Sequence, residues 1–347
     1  MEGEIKMAIN KVSIENFTVF NKTEIDFCDG MNVFIGENGT GKTHLLKIIY
    51  AICESLVYLG GPNSDAATPL SFNTRIYECF QANDYTKLYS NLANNTESRK
   101  PIIVRAIIGG DEHFYQIRST NGDAADTIFE PKLKGSVPAI FIPAKDMLTH
   151  ARLEKDFMHR NLPFDKTEID ILNKAGISTM KTLPPELTII MDKIAGIIGG
   201  RIVYKNDRYY TEKEDGTLID FAFEAEGFKK LGLLYRLIET GYFEKGSVLI
   251  WDEPEANLNP KWIPFVVDVL FELSRRGMQV FVATHEYNMM KYFSVKKYND
   301  SEVAFFSLYK NGNSVAYERE EDYSFLEYNT IVDANTRLLE DEIERVL

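Results

Sequence analysis

A glycine-rich segment near the start of the chain has the residue types and spacing of a phosphate-binding loop. It reads Gly36-Glu37-Asn38-Gly39-Thr40-Gly41-Lys42-Thr43, with no gap in the pattern. Glycines let successive backbone N–H groups converge on phosphate oxygens, and a helix that starts at Thr43 points the positive end of its dipole at the same oxygens. We expect Lys42 to reach the β- and γ-phosphates of a nucleotide and the Thr43 hydroxyl to bind Mg²⁺.

An acidic pair stands at the end of an apolar run far along the chain. Residues 248–251 read Val-Leu-Ile-Trp, which predicts a buried strand, and Asp252 and Glu253 follow it directly. Such a strand presents its terminal carboxylate at the edge of a parallel sheet where phosphates bind. We expect Asp252 to hold Mg²⁺ and Glu253 to be the general base that polarises the attacking water.

A second apolar run, at Gln279–Ala283, ends in Thr284, His285 and Glu286. A histidine just past a buried strand can hydrogen-bond a γ-phosphate and report its presence. A lone histidine more often lies on the surface or caps a helix. Because His285 follows the acidic pair by one helix and one strand, we predict that it works with Glu253 in catalysis.

The elements that must position these residues alternate between strands and helices. A strand at 31–35 and a helix at 44–58 flank the glycine loop, and a helix at 262–275 separates the two later strands. This alternation predicts an α/β fold built on a mixed, mainly parallel sheet. The remaining pattern predicts an antiparallel β subdomain from hairpins at 9–27 and 102–118, and a helical lobe from helices at 153–160, 166–174 and 185–198.

Composition narrows the class of protein. Lysine plus arginine number 39 and aspartate plus glutamate 52 in 347 residues, a net charge of −13, which does not favour general nucleic-acid binding. Cys28, Cys53 and Cys79 form no CxxC pair, so we expect a reducing cytoplasm and no zinc site. No apolar run approaches the ~20 residues of a membrane span, so we expect no membrane attachment by the chain itself. We interpret short basic pairs such as Lys229-Lys230 as solvated faces.

The order of these motifs resembles that of the ABC ATPase superfamily: a phosphate loop, a distant Asp-Glu pair and a late strand-end histidine. The closer resemblance is to the AAA-type bacterial ATPases related to the RecF, SMC and OLD families. It extends over nearly the whole chain and includes Asn16-Phe17, Asp-Glu-Pro-Glu at 252–255, Leu258-Asn259-Pro260 and a predicted hairpin within 201–223. The resemblance implies a P-loop ABC-type core with ATP and Mg²⁺ as cofactors.

The same resemblance implies a division of the chain into three segments. Residues 1–145 would form the N-terminal half of the ATPase lobe, with the phosphate loop (Walker A) and the antiparallel β subdomain. Residues 146–224 would form the helical lobe with its β-hairpin. Residues 225–347 would form the C-terminal half of the ATPase lobe, with a signature helix, the acidic pair (Walker B) and the switch histidine.

In this family, a Ser-x-Gly opens the signature helix, whose N-terminus grips the γ-phosphate bound to the opposite subunit. The corresponding segment here is 225–231, in which Ala225 replaces the serine and Gly227 remains. The hydroxyl contact is therefore missing, although the backbone amides of a helix start can still bind phosphate. An ordinary amphipathic helix start is the alternative interpretation.

Other positions of the family pattern stay open in this sequence. A Q-loop should follow the last strand before the helical lobe, where Lys145 and Asp146 are candidates although no glutamine is present. Residues 256–259 would form the D-loop that crosses the dimer interface. Phe17 and Phe20 are candidates for an adenine contact, with a place in the core as the alternative.

In function, the resemblance implies a regulatory switch or clamp. Each subunit would bind MgATP, two copies would dimerise on ATP binding, and hydrolysis would separate them. The two states would act on a separate protein effector in DNA repair or anti-phage defence, with any nucleic acid bound indirectly. Two alternatives are the nucleotide-binding subunit of a transporter, which the altered signature disfavours, and an SMC-like DNA clamp, for which no long coiled coil is readable.

Overall fold

The computed structural model describes residues 8–56, 72–82, 84–90, 100–119, 124–130, 137–153, 163–298 and 301–346. In these ranges the strands are β1 (Ile9–Phe17), β2 (Phe20–Asp26), β3 (Met31–Gly36), β4 (Ile102–Ile108), β5 (Asp111–Ser119), β6 (Ala124–Glu130), β7 (Ala139–Ile142), β8 (Arg201–Lys205), β9 (Arg208–Glu212), β10 (Leu218–Asp220), β11 (Val248–Asp252), β12 (Gln279–Ala283), β13 (Val303–Asn311) and β14 (Ser314–Glu320). The α-helices of the same ranges are α1 (Lys42–Ser55), α2 (Phe72–Phe80), α3 (Lys166–Gly176), α4 (Pro185–Ile198), α5 (Glu226–Glu239), α6 (Ile263–Arg275), α7 (Tyr287–Val295) and α8 (Thr330–Val346). Among these helices, none combines the length and the apolar character that a bilayer crossing requires.

A six-stranded, mainly parallel sheet lies at the centre of the fold. Its order is β14-β13-β3-β12-β11-β7, and every neighbouring pair is parallel except β13 with β14. In the register of these strands, Asp252 lies opposite Ala283, and Ala283 lies opposite Phe34. The carboxyl ends of β3, β12 and β11 therefore meet at one edge of the sheet. The predicted α/β fold with a mixed, mainly parallel sheet is confirmed.

The inner strands of this sheet are apolar throughout because both of their faces are covered. All five residues of β11 are buried. Leu249 and Trp251 pack into a cluster with helices α3 to α7, whereas Val248 and Ile250 face a second cluster that includes helix α1. The continuous apolar run at 248–251 thus reflects a strand that lies between two helical layers.

A five-stranded antiparallel sheet, in the order β2-β1-β4-β5-β6, packs beside the central sheet. Phe27, just after β2, meets Phe281 of β12 edge-on, with ring centroids 5.1 Å apart. The buried amide of Gln279 joins the two sheets, because its Oε1 accepts from the Ile9 N–H at 2.8 Å and its Nε2 donates to the Ile9 carbonyl oxygen at 2.9 Å. The antiparallel β region predicted from the hairpins is therefore present.

Helices α3 and α4 and a small sheet, ordered β10-β9-β8, lie between residues 146 and 224. Helix α3 begins with a capping box, in which the Asp165 side chain accepts from backbone N–H groups and the Glu168 side chain accepts from the Asp165 N–H. The helix predicted at 153–160 falls almost wholly outside the described residues, and Leu148–Leu153 form a 3₁₀ helix.

Gly36, the last residue of β3, can be replaced only at a cost to stability. Its φ is +137°, and a Cβ there would lie 2.1 Å from the backbone carbonyl oxygen of Leu308. We expect Gly36→Ala to destabilise the ligand-free protein by about 2–3 kcal/mol, through strain and overpacking.

Gly196→Ala is the matched control, because a Cβ at this position in α4 meets nothing within 4 Å. We expect this variant to be neutral or more stable by up to about 1 kcal/mol. Denaturant unfolding of both variants measures the difference. A Gly36→Ala midpoint at or above that of Gly196→Ala would contradict this account of the loop.

Candidate active site

The glycine loop sits tightly on the edge of the central sheet, between β3 and α1. Gly39 and Gly41 have φ values of +80° and +87°, the left-handed region that glycine adopts without steric cost. A Cβ at Gly41 would lie 2.5 Å from Cγ2 of Val19. At Gly36 and Gly41 the backbone therefore lies too close to its neighbours for a side chain to fit, whereas Gly39 has open space around it.

The start of helix α1 is open to an anionic ligand. Gly41 is its N-cap residue, and no described side chain caps the first turn. Helix starts leave backbone N–H groups without intrahelical partners, and these groups carry a partial positive charge. A loop with two glycines at positive φ, followed by an uncapped helix start, fits the phosphate chain of a nucleotide.

Lys42 places a positive charge inside this cradle. It is 5% exposed, and its Nζ donates to the carbonyl oxygens of Gly36 at 2.7 Å and Glu37 at 2.9 Å. Burial lowers the pKa of Lys42 to about 8, and the carboxylates of Asp252 and Glu253 act in the opposite direction. The ammonium is thus largely desolvated, so an anion in the loop would interact with it strongly.

The fold brings together Thr43 and Asp252, which are 209 residues apart in the sequence. The Thr43 hydroxyl donates to Oδ2 of Asp252 at 2.8 Å. Burial raises the pKa of the Asp252 carboxyl above its usual value, and the hydrogen bond from Thr43 opposes that rise. Mg²⁺ in nucleotide sites takes one or two protein oxygens and completes its shell with phosphate and water. This donor set fits Mg²⁺, and the metal role of the two residues stays a prediction.

Glu253 stands beside Asp252 at the same edge of the sheet and is open to solvent. Its side chain is 38% exposed, and its Oε1 lies 3.6 Å from Nε2 of His285. Its backbone N–H donates to the Ala283 carbonyl oxygen at 2.9 Å, which fixes the turn to the end of β12. A carboxylate in this position can accept a proton from a water molecule at the edge of the loop.

His285 lies at the end of β12, beside the loop. The N–H of Thr284 donates to the Phe34 carbonyl oxygen at 3.0 Å, which holds the residue before the histidine against β3. Burial, followed by the charge of Lys42, lowers the pKa of His285 below its ordinary value. The charge of Glu253 and a backbone hydrogen bond at Gly36 oppose this change. The neutral imidazole is therefore favoured at neutral pH, and a neutral imidazole has one donor and one acceptor nitrogen.

Glu255 is a site residue to which the sequence interpretation gave no role. Its Oε1 accepts from Oγ1 of Thr284 at 2.7 Å and from the His285 N–H at 3.0 Å. Burial raises the pKa of its carboxyl, and these two hydrogen bonds oppose the rise. Glu255 is the second glutamate of the Asp-Glu-Pro-Glu motif at 252–255. The motif shows that an acid is present, but it does not show that this carboxylate accepts hydrogen bonds from Thr284 and His285.

The interpretation of Lys229-Lys230 as a solvated pair is wrong. Both lysines are buried in α5: Lys229 pairs with Glu226 at 2.7 Å, and Nζ of Lys230 donates to the Glu253 carbonyl oxygen at 2.7 Å. The reason is that α5 packs its first turns against the turn that follows β11. Lys230 precedes Leu234 by four residues, so the helical spacing already placed it on the apolar face.

The start of α5 packs on residues 257 and 258, which follow the acidic pair. Ala225 is the N-cap residue and makes no side-chain cap. A Cβ at Gly227 would lie 3.0 Å from the Asn257 carbonyl oxygen and 3.4 Å from Cα of Leu258. The signature segment therefore lies against the segment predicted to be the D-loop.

The remaining candidates have structural partners. Nζ of Lys145 lies 3.0 Å from Glu168, and Asp146 accepts from the Leu148 N–H at 3.1 Å as it opens a 3₁₀ helix. Phe17 and Phe20 are fully buried in the core. Their burial bears out the core alternative and leaves neither ring free to stack on a base.

Together these residues can bind and orient a triphosphate beside a base. The loop amides and Lys42 would hold the phosphates, and Thr43 and Asp252 would hold Mg²⁺, which neutralises charge on the phosphate oxygens when bound. Glu253 would take a proton from water, and the neutral His285 can donate a hydrogen bond to a nearby oxygen.

Two protein families match this chain. The family described as "AAA ATPase domain" matches residues 7–183, just over half of the chain. A second match, over residues 112–291, is to an AAA domain described with a proposed AbiEii toxin role in a type IV toxin–antitoxin system.

Two curated relatives are RecF proteins, each named "DNA replication and repair protein RecF". The chain is 39% identical over 62 residues to the one from Cytophaga hutchinsonii, which covers 18% of this chain and 16% of that protein. It is 30% identical over 105 residues to the one from Heliobacterium modesticaldum, which covers 30% of this chain and 24% of that protein. The matched segments thus span less than a quarter of either relative.

Among solved structures, an SMC head bound to the C-terminal winged-helix domain of ScpA has a similar fold. The TM-score is 0.51 at 15% identity, over 90% of this chain and 98% of that chain. With the loop, the acidic pair and the histidine at one sheet edge, the chain belongs to the AAA ATPase domain family, whose model matches just over half of its residues.

Proposed function

We propose that this protein hydrolyses MgATP and works as a switch, in which two copies close head-to-tail around the nucleotide. The observation that carries the proposal is the convergence of Lys42, Thr43, Asp252, Glu253 and His285 at one edge of the central sheet. These side chains supply the charge, the metal ligands and the base that phosphoryl transfer to water needs.

The second copy enters this proposal through the start of helix α5. Gly227 and the uncapped first turn of α5 are the family's position for binding a γ-phosphate held by the opposite subunit. Within its own chain this segment packs on Asn257 and Leu258. We therefore propose that Gly227 completes the nucleotide site of a second copy, and that ATP holds the two together.

Phe223 offers a way to test this dimer. It lies two residues before Ala225 and is 86% exposed, which is unusual for a phenylalanine. In the proposed dimer it faces the second copy. We expect Phe223→Ser to raise the Kd of the ATP-dependent dimer by about 10-fold or more, as for a buried aromatic contact.

Phe325→Ser is the matched control, because Phe325 is also exposed, at 73%, but lies in the turn Tyr323–Phe325 before helix α8. Light scattering over a concentration series, with Mg²⁺ and a non-hydrolysable ATP analogue, measures both dimers. Equal dimer formation by the two variants would contradict the proposed interface. A wild-type protein that stays monomeric with saturating analogue would contradict the dimer itself.

The partner of the switch is proposed from the relatives. We propose a separate protein effector in the cytoplasm. The toxin–antitoxin description of the second family match supports a role in a defence system of more than one component. The RecF relatives support a second candidate, a clamp that acts on DNA in repair. Duplex binding by the pure protein that weakens steeply with salt would favour the clamp, whereas no such binding would favour the effector.

A further inference from the structure

Lys230 of helix α5 is buried with its ammonium group at the end of strand β11. The residue is 7% exposed, and its Nζ donates to the backbone carbonyl oxygen of Glu253 at 2.7 Å. Burial lowers the pKa of Lys230 to about 8, and the carboxylates of Glu255, Glu253 and Asp252 oppose that change. Because a buried charge is costly without partners, these contacts define where the lysine can lie.

The carbonyl group that Lys230 binds belongs to a residue in a strained conformation. Glu253 has a φ of +48°, a region that costs a non-glycine residue about 1–3 kcal/mol. Its N–H donates to the Ala283 carbonyl oxygen at 2.9 Å, and its own carbonyl oxygen also accepts from the Ala256 N–H at 3.0 Å. Since backbone conformation sets the direction of the Cα–Cβ bond, these bonds fix the point from which the Glu253 side chain extends.

The charge of Lys230 also interacts with Glu255, whose carboxylate accepts a hydrogen bond from the backbone of His285. Among the carboxylates that keep Lys230 charged, that of Glu255 has the largest effect. The same carboxylate accepts hydrogen bonds from Thr284 and from the His285 backbone. Lys230 thus links helix α5 directly to the backbone of Glu253. Through the charge of Glu255, it also links the helix to His285.

We propose that Lys230 is a positioning residue, which couples the start of α5 to the conformation of Glu253 within one subunit. This inference rests on the proposed function, in which the nucleotide of a second copy engages α5 near Gly227. Lys230 lies one helical turn further along, so a displacement of the helix moves the donor of the Glu253 carbonyl. In this scheme, dimer closure changes the position of Glu253, the general base, through the hydrogen bond from Lys230 of the same chain.

Lys230→Met tests the proposal, because methionine keeps most of the apolar stem and removes the ammonium group. We expect kcat for ATP hydrolysis to fall about 100-fold, as for a catalytic group displaced by about 1 Å. We expect KM and analogue-induced dimerisation to stay within about 2-fold of wild type, because neither the loop residues nor the backbone amides at Gly227 are changed. Lys230→Arg should recover part of kcat, since it restores a charged donor.

Lys229→Met is the matched control, because Lys229 is the adjacent buried lysine but pairs with Glu226 of its own helix. We expect its kcat to stay within about 3-fold of wild type. Equal kcat values for the Lys229→Met and Lys230→Met proteins would overturn the proposal. Should Lys230→Met fail to fold, Lys230→Gln decides: a kcat at least about 10-fold lower at unchanged KM supports the proposal, and wild-type kcat overturns it.

The outcomes separate this inference from the function on which it rests. A wild-type protein that neither hydrolyses ATP nor dimerises with the analogue would refute the proposed function. A wild-type protein that does both, with an unaffected Lys230→Met variant, would refute the role of Lys230 alone.

Discussion

Lys42→Ala is expected to raise the Kd for MgATP at least about 100-fold, because charge-assisted hydrogen bonds contribute about 1.5–3 kcal/mol each. The Lys42 ammonium is buried in the loop and is already directed at carbonyl oxygens that a phosphate would replace as partners. Without the ammonium group, only the backbone N–H groups of the loop would bind the phosphates. Isothermal titration of MgATP into the purified variant measures the loss.

Lys47→Ala is the control for Lys42→Ala. Lys47 lies on the same helix, but its Nζ pairs with Asp165 at 2.6 Å. We expect this variant to keep its affinity for MgATP within about 3-fold of wild type. Unchanged affinity in a folded Lys42→Ala protein would remove the claim that residues 36–43 bind the phosphates.

Glu253→Gln is expected to lower the rate of ATP hydrolysis by about 100-fold or more, the range that a general base contributes. Glutamine keeps the size of the side chain but cannot accept the proton from water. The backbone bonds that hold residue 253 to Ala283 and Lys230 do not involve the carboxylate, so ATP binding should persist. An ATP-bound dimer should therefore accumulate.

Phosphate release and light scattering on the same Glu253→Gln sample test both parts of this expectation. Slow hydrolysis together with a stable dimer in MgATP agrees with Glu253 acting as the general base in the ATP-bound dimer. Hydrolysis at the wild-type rate would show that another group activates the water, and Glu253 would lose its assigned role.

The part of the site that the sequence predicts is the part governed by strand ends. The runs before Gly36, Asp252 and Thr284 are apolar enough to be buried strands, and parallel strands bring their carboxyl ends to one edge. That rule, together with the magnesium role expected for both residues, predicts that Thr43 and Asp252 lie near each other. In the structure the Thr43 hydroxyl donates to the Asp252 carboxylate at 2.8 Å.

The sequence did not predict the features that depend on how one helix or strand packs against another. The spacing of Lys230 from Leu234 places it on the apolar face of its helix, but the sequence does not give its partner. Only the packing of α5 on the turn after β11 makes Lys230 a donor to the Glu253 carbonyl oxygen. Strand β6 and helix α7 were also missed. The sequence of β6 carries no clear alternation, and α7 is only nine residues long, so tertiary contacts decide their conformation.

The most direct test of the central claim is a crystal structure of the Glu253→Gln protein grown with ATP and Mg²⁺. The account predicts a triphosphate on residues 36–43, with Lys42 turned from the Gly36 carbonyl to the phosphates and a metal ion held by Thr43 and Asp252. It also predicts Gly227 of a second copy against the γ-phosphate. Nucleotide bound elsewhere, or a loop left empty at saturating ATP, would contradict the account.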